Sequence, residues 1–159
     1  MLQQVLTGGQ TGVDQAAWRA AVAAGLRTGG FMPLGFLTED GPRPEFAQGF
    51  GAEPIDTPSF DDRTRANARL ADATLVVVDP LRSGPGTLLT VEAARQAGKP
   101  LLLLHPDDCD DPALPSRVAS WIVAQQVRIL NVAGDRESTL PGLGLRLEPL
   151  LAAAFESED

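Results

Sequence analysis

Thr74-Leu75-Val76-Val77-Val78-Asp79, followed by the loop at 80–86, a helical period over 87–97, Gly98-Lys99-Pro100 and Leu101-Leu102-Leu103-Leu104-His105, is the stretch that decides the fold. A short, wholly apolar run bounded by turn residues reads as a strand buried on both faces, and two such runs joined by one helix read as a parallel βαβ unit. Gly98 ends the helix on a left-handed cap, and Pro100 prevents its continuation.

Working outward, the same alternation repeats. Residues 4–7 predict a short first strand that stops at Gly8-Gly9, and the alanine-rich residues 13–25 predict a helix closing on Gly25. Residues 28–58 are dense in glycine and proline; they predict a short strand near 30–32, a long loop and an extended piece near 54–57. Asp61 or Asp62 can cap a helix running to about Ala71. Beyond the βαβ unit, a helix from Pro115 or Ser116 to about Gln126, a strand at 127–132 and a closing helix at 143–155 complete the pattern, with 156–159 expected to fray. The expectation is one doubly wound α/β domain over 1–155, with a mainly parallel sheet of about five or more strands and helices on both faces.

At 159 residues the chain fits one domain with no need of covalent staples. Its 13 Lys+Arg against 21 Asp+Glu give a formal charge of −8, so no basic stripe is available for nucleic acid. A local anion site is still compatible with that charge, because a few backbone N–H groups and one or two arginines suffice to hold a phosphate. The lone cysteine, Cys109, excludes an internal disulfide, and one histidine with one cysteine makes a transition-metal site an unpromising expectation. No stretch has the length and apolarity of a membrane span or the layout of a secretory signal, and the expected location is the cytoplasm.

In open α/β sheets ligands bind outside the carboxyl ends of the strands, so the loops there are where chemistry belongs. The first, Thr7-Gly8-Gly9-Gln10-Thr11-Gly12-Val13-Asp14, joins strand to helix through glycines that allow close backbone approach, with Gln10 and Thr11 as side-chain donors. It is neither a full dinucleotide fingerprint nor a phosphate loop with Gly-Lys-Ser/Thr, and a tight structural turn is the competing reading. The second, Ser83-Gly84-Pro85-Gly86-Thr87, repeats that chemistry at another helix start. The third, Asn131 to Ser138, offers Arg136 as a bidentate fork beside the neutral groups of Asn131 and Ser138, or else caps the closing helix through local pairs.

On the helix expected after Asp61, Arg63 and Asn67 share one face and Arg65 and Arg69 another, with one face solvated. Glu92 and Asp14 are the acid/base candidates, Glu92 being equally readable as a solvated helix carboxylate. His105 reads as a strand-end residue with local hydrogen bonds, and the carboxylates at 107, 108, 110 and 111 as a solvated loop. Trp18 and Trp121 fall at core-compatible helix positions.

Taken in order, Gly8-Gly9-Gln10-Thr11-Gly12-Val13-Asp14, Gly30-Phe31-Met32-Pro33-Leu34-Gly35, Glu39-Asp40-Gly41-Pro42, Arg63-Thr64 with Asn67, Ser83-Gly84 with Gly86-Thr87, and Leu130-Asn131-Val132-Ala133-Gly134 with Arg136-Glu137-Ser138 and Pro141-Gly142 closely resemble the molybdenum carrier, or molybdenum-cofactor carrier, family. That family is similar to a wider Rossmann-like superfamily containing the lysine-decarboxylase-like proteins and the LOG phosphoribohydrolases. The resemblance covers nearly the whole chain. It implies a Rossmann-like fold, assembly as a homodimer or homotetramer, and a phosphate-bearing ligand: molybdenum cofactor, molybdate or a related oxyanion, or a nucleotide. Two positions depart from the family pattern: Leu34 stands where relatives tend to carry lysine, and Asp135 where they tend to carry proline, so that a carboxylate beside Arg136 can compete for its guanidinium. The position matching the catalytic glutamate of the LOG enzymes is Thr90, whereas Glu92 lies about 200° further around the helix.

The expected function is therefore a carrier or storage protein. Gly8, Gly9, Gln10, Thr11 and Gly12 would form one anion cradle and Ser83, Gly84, Gly86 and Thr87 a second, with Arg63, Asn67, Asn131, Arg136 and Ser138 as side-chain contacts. A bulky residue at Gly9 is expected to abolish binding while sparing the fold. The alternatives are a nucleotide hydrolase using Glu92 or Asp14 with Arg63, and a sensor of a nucleotide-derived signal.

Overall fold

The computed structural model describes residues 1–156. In chain order the elements are β1 (Gln4–Leu6), α1 (Val13–Ala23), β2 (Arg27–Met32), β3 (Leu37–Thr38), β4 (Gly41–Pro42), α2 (Phe46–Phe50), β5 (Ala52–Pro54), α3 (Phe60–Leu70), β6 (Ala73–Val77), α4 (Pro85–Ala97), β7 (Leu101–Leu104), α5 (Leu114–Ala124), β8 (Ile129–Gly134) and α6 (Leu143–Glu156). The major sheet has six strands in the order β5-β2-β1-β8-β6-β7, and every pairing in it is parallel. β3 and β4 form a separate antiparallel hairpin.

Strand β6 shows why both faces are covered. Ala73, Leu75 and Val77 enter the larger core with residues of α1, α5 and α6, whereas Val76 and Val78 meet Val91 of α4 on the opposite face. A strand buried on both sides reads as a continuous apolar run, which is how Thr74 to Asp79 reads. A third cluster joins Trp18 to Met32 and Ala52, with Phe50 stacked on the indole at 4.6 Å and Phe46 edge-on at 5.5 Å.

The segment 28–58 is more ordered than its glycine and proline content predicts. It holds β2, the β3–β4 hairpin, α2 and β5, because the aromatic side chains of α2 close over Trp18 and parallel pairing with β2 adds β5 to the sheet. Several boundaries also move. Ser59, not Asp61 or Asp62, caps α3, its hydroxyl accepting the Asp62 amide. Helix α4 starts at Pro85 rather than Thr87, a proline at the first helical position where no N–H is needed. β8 runs two residues further than expected, to Gly134. Of the expected frayed tail, Glu156 ends α6 and 157–159 lie outside the described residues.

Helices α1 and α6 meet where Gly144 crosses the α1 cap. A Cβ on Gly144 would stand 2.6 Å from the Gly12 carbonyl oxygen, and one on Gly12 would stand 2.4 Å from that of Asp135. Three backbone segments thus touch with no side chain between them. Gly144→Ala is expected to destabilise the protein by about 1–3 kcal/mol, the usual range for overpacking. Urea unfolding checks this, and a midpoint equal to that of the parent would contradict the close approach.

Candidate functional site

The sheet order separates β1 from β6 by β8, and the loops following β1, β6 and β8 converge above their carboxyl ends. Between them and α3 lies a cleft of about 420 Å³. Of the residues singled out from the sequence, Gly8, Gln10, Asp14, Arg63, Asn67, Gly84, Gly86, Thr87, Asn131, Arg136 and Ser138 line it. Gly9, Thr11, Gly12, Ser83 and Glu92 are not among its lining residues.

The wall formed by the β1 loop is built on a guanidinium laid against a glycine. Arg63 is 9% exposed; its Nη1 donates to the Gly8 carbonyl and lies 3.5 Å from Asp14 Oδ2, while its Nε donates to the Phe60 carbonyl at 3.2 Å. A Cβ on Gly8 would come within 1.7 Å of that Nη1, so only glycine leaves the arginine its place. The Phe60 ring stands beneath both arginines of the cleft, 5.4 Å from Arg63 and 5.6 Å from Arg136. Asp14, in the first turn of α1, accepts the Gln10 amide at 3.2 Å. Burial pushes its carboxyl up to about 6, against the opposing pull of Arg63 and of the Gln10, Gly8 and Gly134 amides.

The β1 loop and the β6 loop both lead into helix N-termini, and a carboxylate of the protein engages donors of each loop. Asp14 takes the Gln10 amide of the first. Asp135, 3% exposed and carried by the loop after β8, accepts the Ser83 hydroxyl at 2.6 Å, the Gly84 amide at 2.9 Å and the Thr87 hydroxyl at 2.9 Å. Its carboxylate is therefore spent on the α4 cap and not on Arg136, contrary to the competition expected from their adjacency. The donors on Ser83, Gly84 and Thr87 that the sequence offers to a phosphate are the same donors that Asp135 engages.

A third carboxylate enters from the β3–β4 hairpin. Glu39 accepts hydrogen bonds from the hydroxyls of Thr11 and Ser138 and from the Ser138 amide at 3.2 Å, and its own amide donates to Gln10 Oε1 at 2.8 Å. Desolvation works against its ionisation, but the Ser138 and Thr11 contacts and the nearby Arg136 together hold it below the usual carboxylate range. Sequence reasoning did not single out Glu39 or Phe60 as site residues. The acidic side chain at the tip of the Glu39-Asp40-Gly41-Pro42 turn was the only available signal, and nothing local says which donors it meets.

The remaining candidates divide clearly. Asn67 is a structural clamp on β2, donating to the Phe31 carbonyl at 3.0 Å and accepting the Phe31 amide at 2.8 Å. Asn131 donates to Thr74 Oγ1 at 3.4 Å. Arg65 and Arg69 lie on the outer side of α3, so the inward face is that of Arg63 and Asn67. Glu92 is exposed and bonded to Gln96 at 3.3 Å, whereas Thr90 lines the cleft with its hydroxyl on the Gly86 carbonyl at 3.0 Å. His105 accepts the Asp107 amide at 3.0 Å, a strand-end turn. Among the described residues no group of three or more His, Cys, Asp or Glu is placed to hold a metal, and no helix is long and apolar enough to cross a membrane.

Residues 5–155 match the family described as circularly permutated YpsA SLOG. The chain belongs to that family. Among solved structures it is similar to the putative molybdenum carrier protein from Syntrophus aciditrophicus SB, at 29% identity over 96% of this chain and 94% of that one, with a TM-score of 0.83. No curated protein matches the chain. Family membership and structural neighbour agree with the resemblance read from the ordered motifs and with the Rossmann-like α/β fold. The first of those motifs, Gly8 to Asp14, is here the wall that seats Arg63.

Asp14 supplies a pH test. Its carboxyl is raised by burial, so its contribution to stability is fully present below the unfolded-state value near 3.8 and is lost as pH rises through about 6. Relative to Asp14→Asn, the parent is expected to lose about 2–3 kcal/mol between pH 4 and pH 7, by the usual conversion of pKa shift to free energy. Paired urea titrations measure that difference, and a gap constant with pH would contradict the assignment.

Proposed function

We propose that the protein is a small-molecule carrier or storage protein whose cleft holds an anionic, phosphate-bearing ligand. The observation that carries this reading is the convergence of two guanidinium groups, Arg63 and Arg136, over one ring at the carboxyl end of a parallel sheet. About 420 Å³ falls within the range of roughly 300–1,000 Å³ typical of small-ligand pockets. The first turn of α4 adds Gly86 and Thr87, whose backbone amides have no partner within the helix.

Molybdenum cofactor, a pterin bearing a phosphate, is the cargo favoured by the name of the structural neighbour. The donor set suits it: arginines for the phosphate, and Gln10, with a buried and unpartnered amide nitrogen, for an acceptor atom. Molybdate or a related oxyanion would meet the arginines with its charge and offer an oxo oxygen to Gln10. Cys109 lies outside the cleft, so the protein's one thiol would not contact a metal held there. By the same family resemblance we propose a homodimer or homotetramer, and from the sequence reading a cytoplasmic location.

One observation favours a second reading, hydrolysis of a nucleotide. Asp14 titrates near neutrality inside the cleft and lies 3.5 Å from Arg63, the arrangement of an acid/base group beside a charge stabiliser. Glu92, exposed and turned toward Gln96, has no place in it.

Native mass spectrometry of the protein as purified, with molybdenum measured by elemental analysis, decides between these readings and counts subunits at the same time. A copurified pterin with stoichiometric molybdenum is expected. An empty protein that shifts only with added nucleotide, and releases base or phosphate from a panel of nucleoside monophosphates, would establish the second reading. A bulky residue at Gly9 is a poor probe of the site, since Gly9 has φ +73° and its Cβ would meet Met32 at 2.7 Å in the aromatic cluster. Gly8→Ala is better: it is expected to displace Arg63 and weaken anion binding about tenfold or more with the sheet intact, since each 1.4 kcal/mol lost is a factor of ten. Calorimetry showing unchanged affinity would remove Arg63 from the site.

A further inference from the structure

Gln10 is a wall residue of the cleft, 4% exposed, and its Nε2 is, among the described residues, the one buried side-chain polar atom without a hydrogen-bond partner. A buried donor left unmet is costly, because it has given up its water without gaining a partner. The other end of the same amide is doubly engaged: Oε1 accepts the Thr11 amide at 3.1 Å and the Glu39 amide at 2.8 Å. Because both partners are backbone N–H groups, a flipped side chain would set Nε2 against two donors. The orientation is therefore determined by the chain itself, with NH₂ left over.

Glu39 is what holds its half of that arrangement in place. The hairpin that carries it pairs with no strand of the major sheet. Its carboxylate reaches Thr11 on the first loop and both the amide and hydroxyl of Ser138 on the third, pinning the Glu39 backbone where its N–H meets Gln10.

We propose that Gln10 is a specificity-determining residue that reads a hydrogen-bond acceptor on the ligand, and that Glu39 is the positioning residue that keeps its NH₂ available for that contact. This rests on the cleft being the binding site proposed above. It narrows the ligand class. The cleft takes a molecule that combines an anionic group for the arginines with an acceptor, a carbonyl or oxo oxygen or a ring nitrogen, for Gln10. An analogue presenting N–H at that point meets NH₂ and is rejected, the strong form of discrimination available to a buried polar group.

The test uses the full chain labelled with ¹⁵N, reading the glutamine side-chain NH₂ resonances, the Arg63 Nε resonance and binding of sodium molybdate and of guanosine monophosphate. Gln10→Glu identifies the Gln10 pair by its disappearance, while a carboxylate oxygen still accepts the two backbone amides. In the unliganded parent the Gln10 pair is expected to exchange slowly with solvent. Glu39→Ala is expected to speed that exchange about tenfold or more, and Glu39→Gln, whose amide oxygen can keep accepting from Thr11 and Ser138, to restore most of the protection. On adding a probe that binds, the Gln10 pair and Arg63 Nε shift together. Affinity then falls roughly tenfold or more in Gln10→Glu and in Glu39→Ala, but not in Glu39→Gln. A Gln10 pair that stays still while Arg63 Nε moves would overturn this inference and leave the cleft reading standing. If neither moves with either probe, the cleft reading fails and the reader role falls with it. Exchange of the Gln10 pair that is indifferent to Glu39→Ala would overturn the positioning role without reference to any ligand.

Discussion

The site depends on one guanidinium held against one bare backbone. Arg63 reaches from α3 across to the loop after β1, where the absence of a Cβ on Gly8 lets it bond the carbonyl and lie beside Asp14. This contact joins the two faces of the molecule, since α1 covers one side of the sheet and α3 the other. A buried ion pair contributes little net stability once both charges have been taken from water. What it does provide is placement: a positive group fixed at the carboxyl ends of the central strands, with a carboxyl beside it that burial raises to about 6.

The same region shows how an acidic protein manages helix termini that would otherwise attract stray anions. Asp14 sits in the first turn of α1, Asp135 caps α4 from a different loop, and Glu39 covers the donors of Thr11 and Ser138. Each is an internal anion on groups that glycine-rich loops commonly offer to phosphate. The cationic side chains that line the cleft are Arg63 and Arg136, both over Phe60.

Much of this was legible in the sequence, and what was not had a physical reason. The βαβ unit from Thr74 to His105 and the glycine-terminated helices are local patterns, and they led directly to the parallel sheet. Arg63 and Asn67 were recognisable as a shared helix face, yet spacing could not tell the arginine that reaches Gly8 from the asparagine that clamps Phe31. Ser83, Gly84 and Thr87 were read correctly as donors near a helix start, but their partner Asp135 lies some fifty residues away, beyond any local rule. The segment 28–58 looked like loop because its glycines and prolines dominate. The aromatic residues Phe36, Phe46 and Phe50, which order it against Trp18, act only once the fold exists. Glu39 went unassigned for the same reason: its role is set entirely by contacts to 11 and 138.

The sheet order carries a consequence for how the chain acquires its structure. Among the described residues β8, the last strand in chain order, alone bridges β5-β2-β1 to β6-β7, pairing with β1 on one side and β6 on the other. Until residues 129–134 insert, the two halves share no ladder of hydrogen bonds, and the apolar edges of β1 and β6 remain open. Such late, long-range parallel pairing is slow to form and exposes sticky edges meanwhile. Completion of the sheet therefore waits on the carboxyl-terminal quarter of the chain, and the cleft, which needs loops from both halves, comes into being in that same closing step.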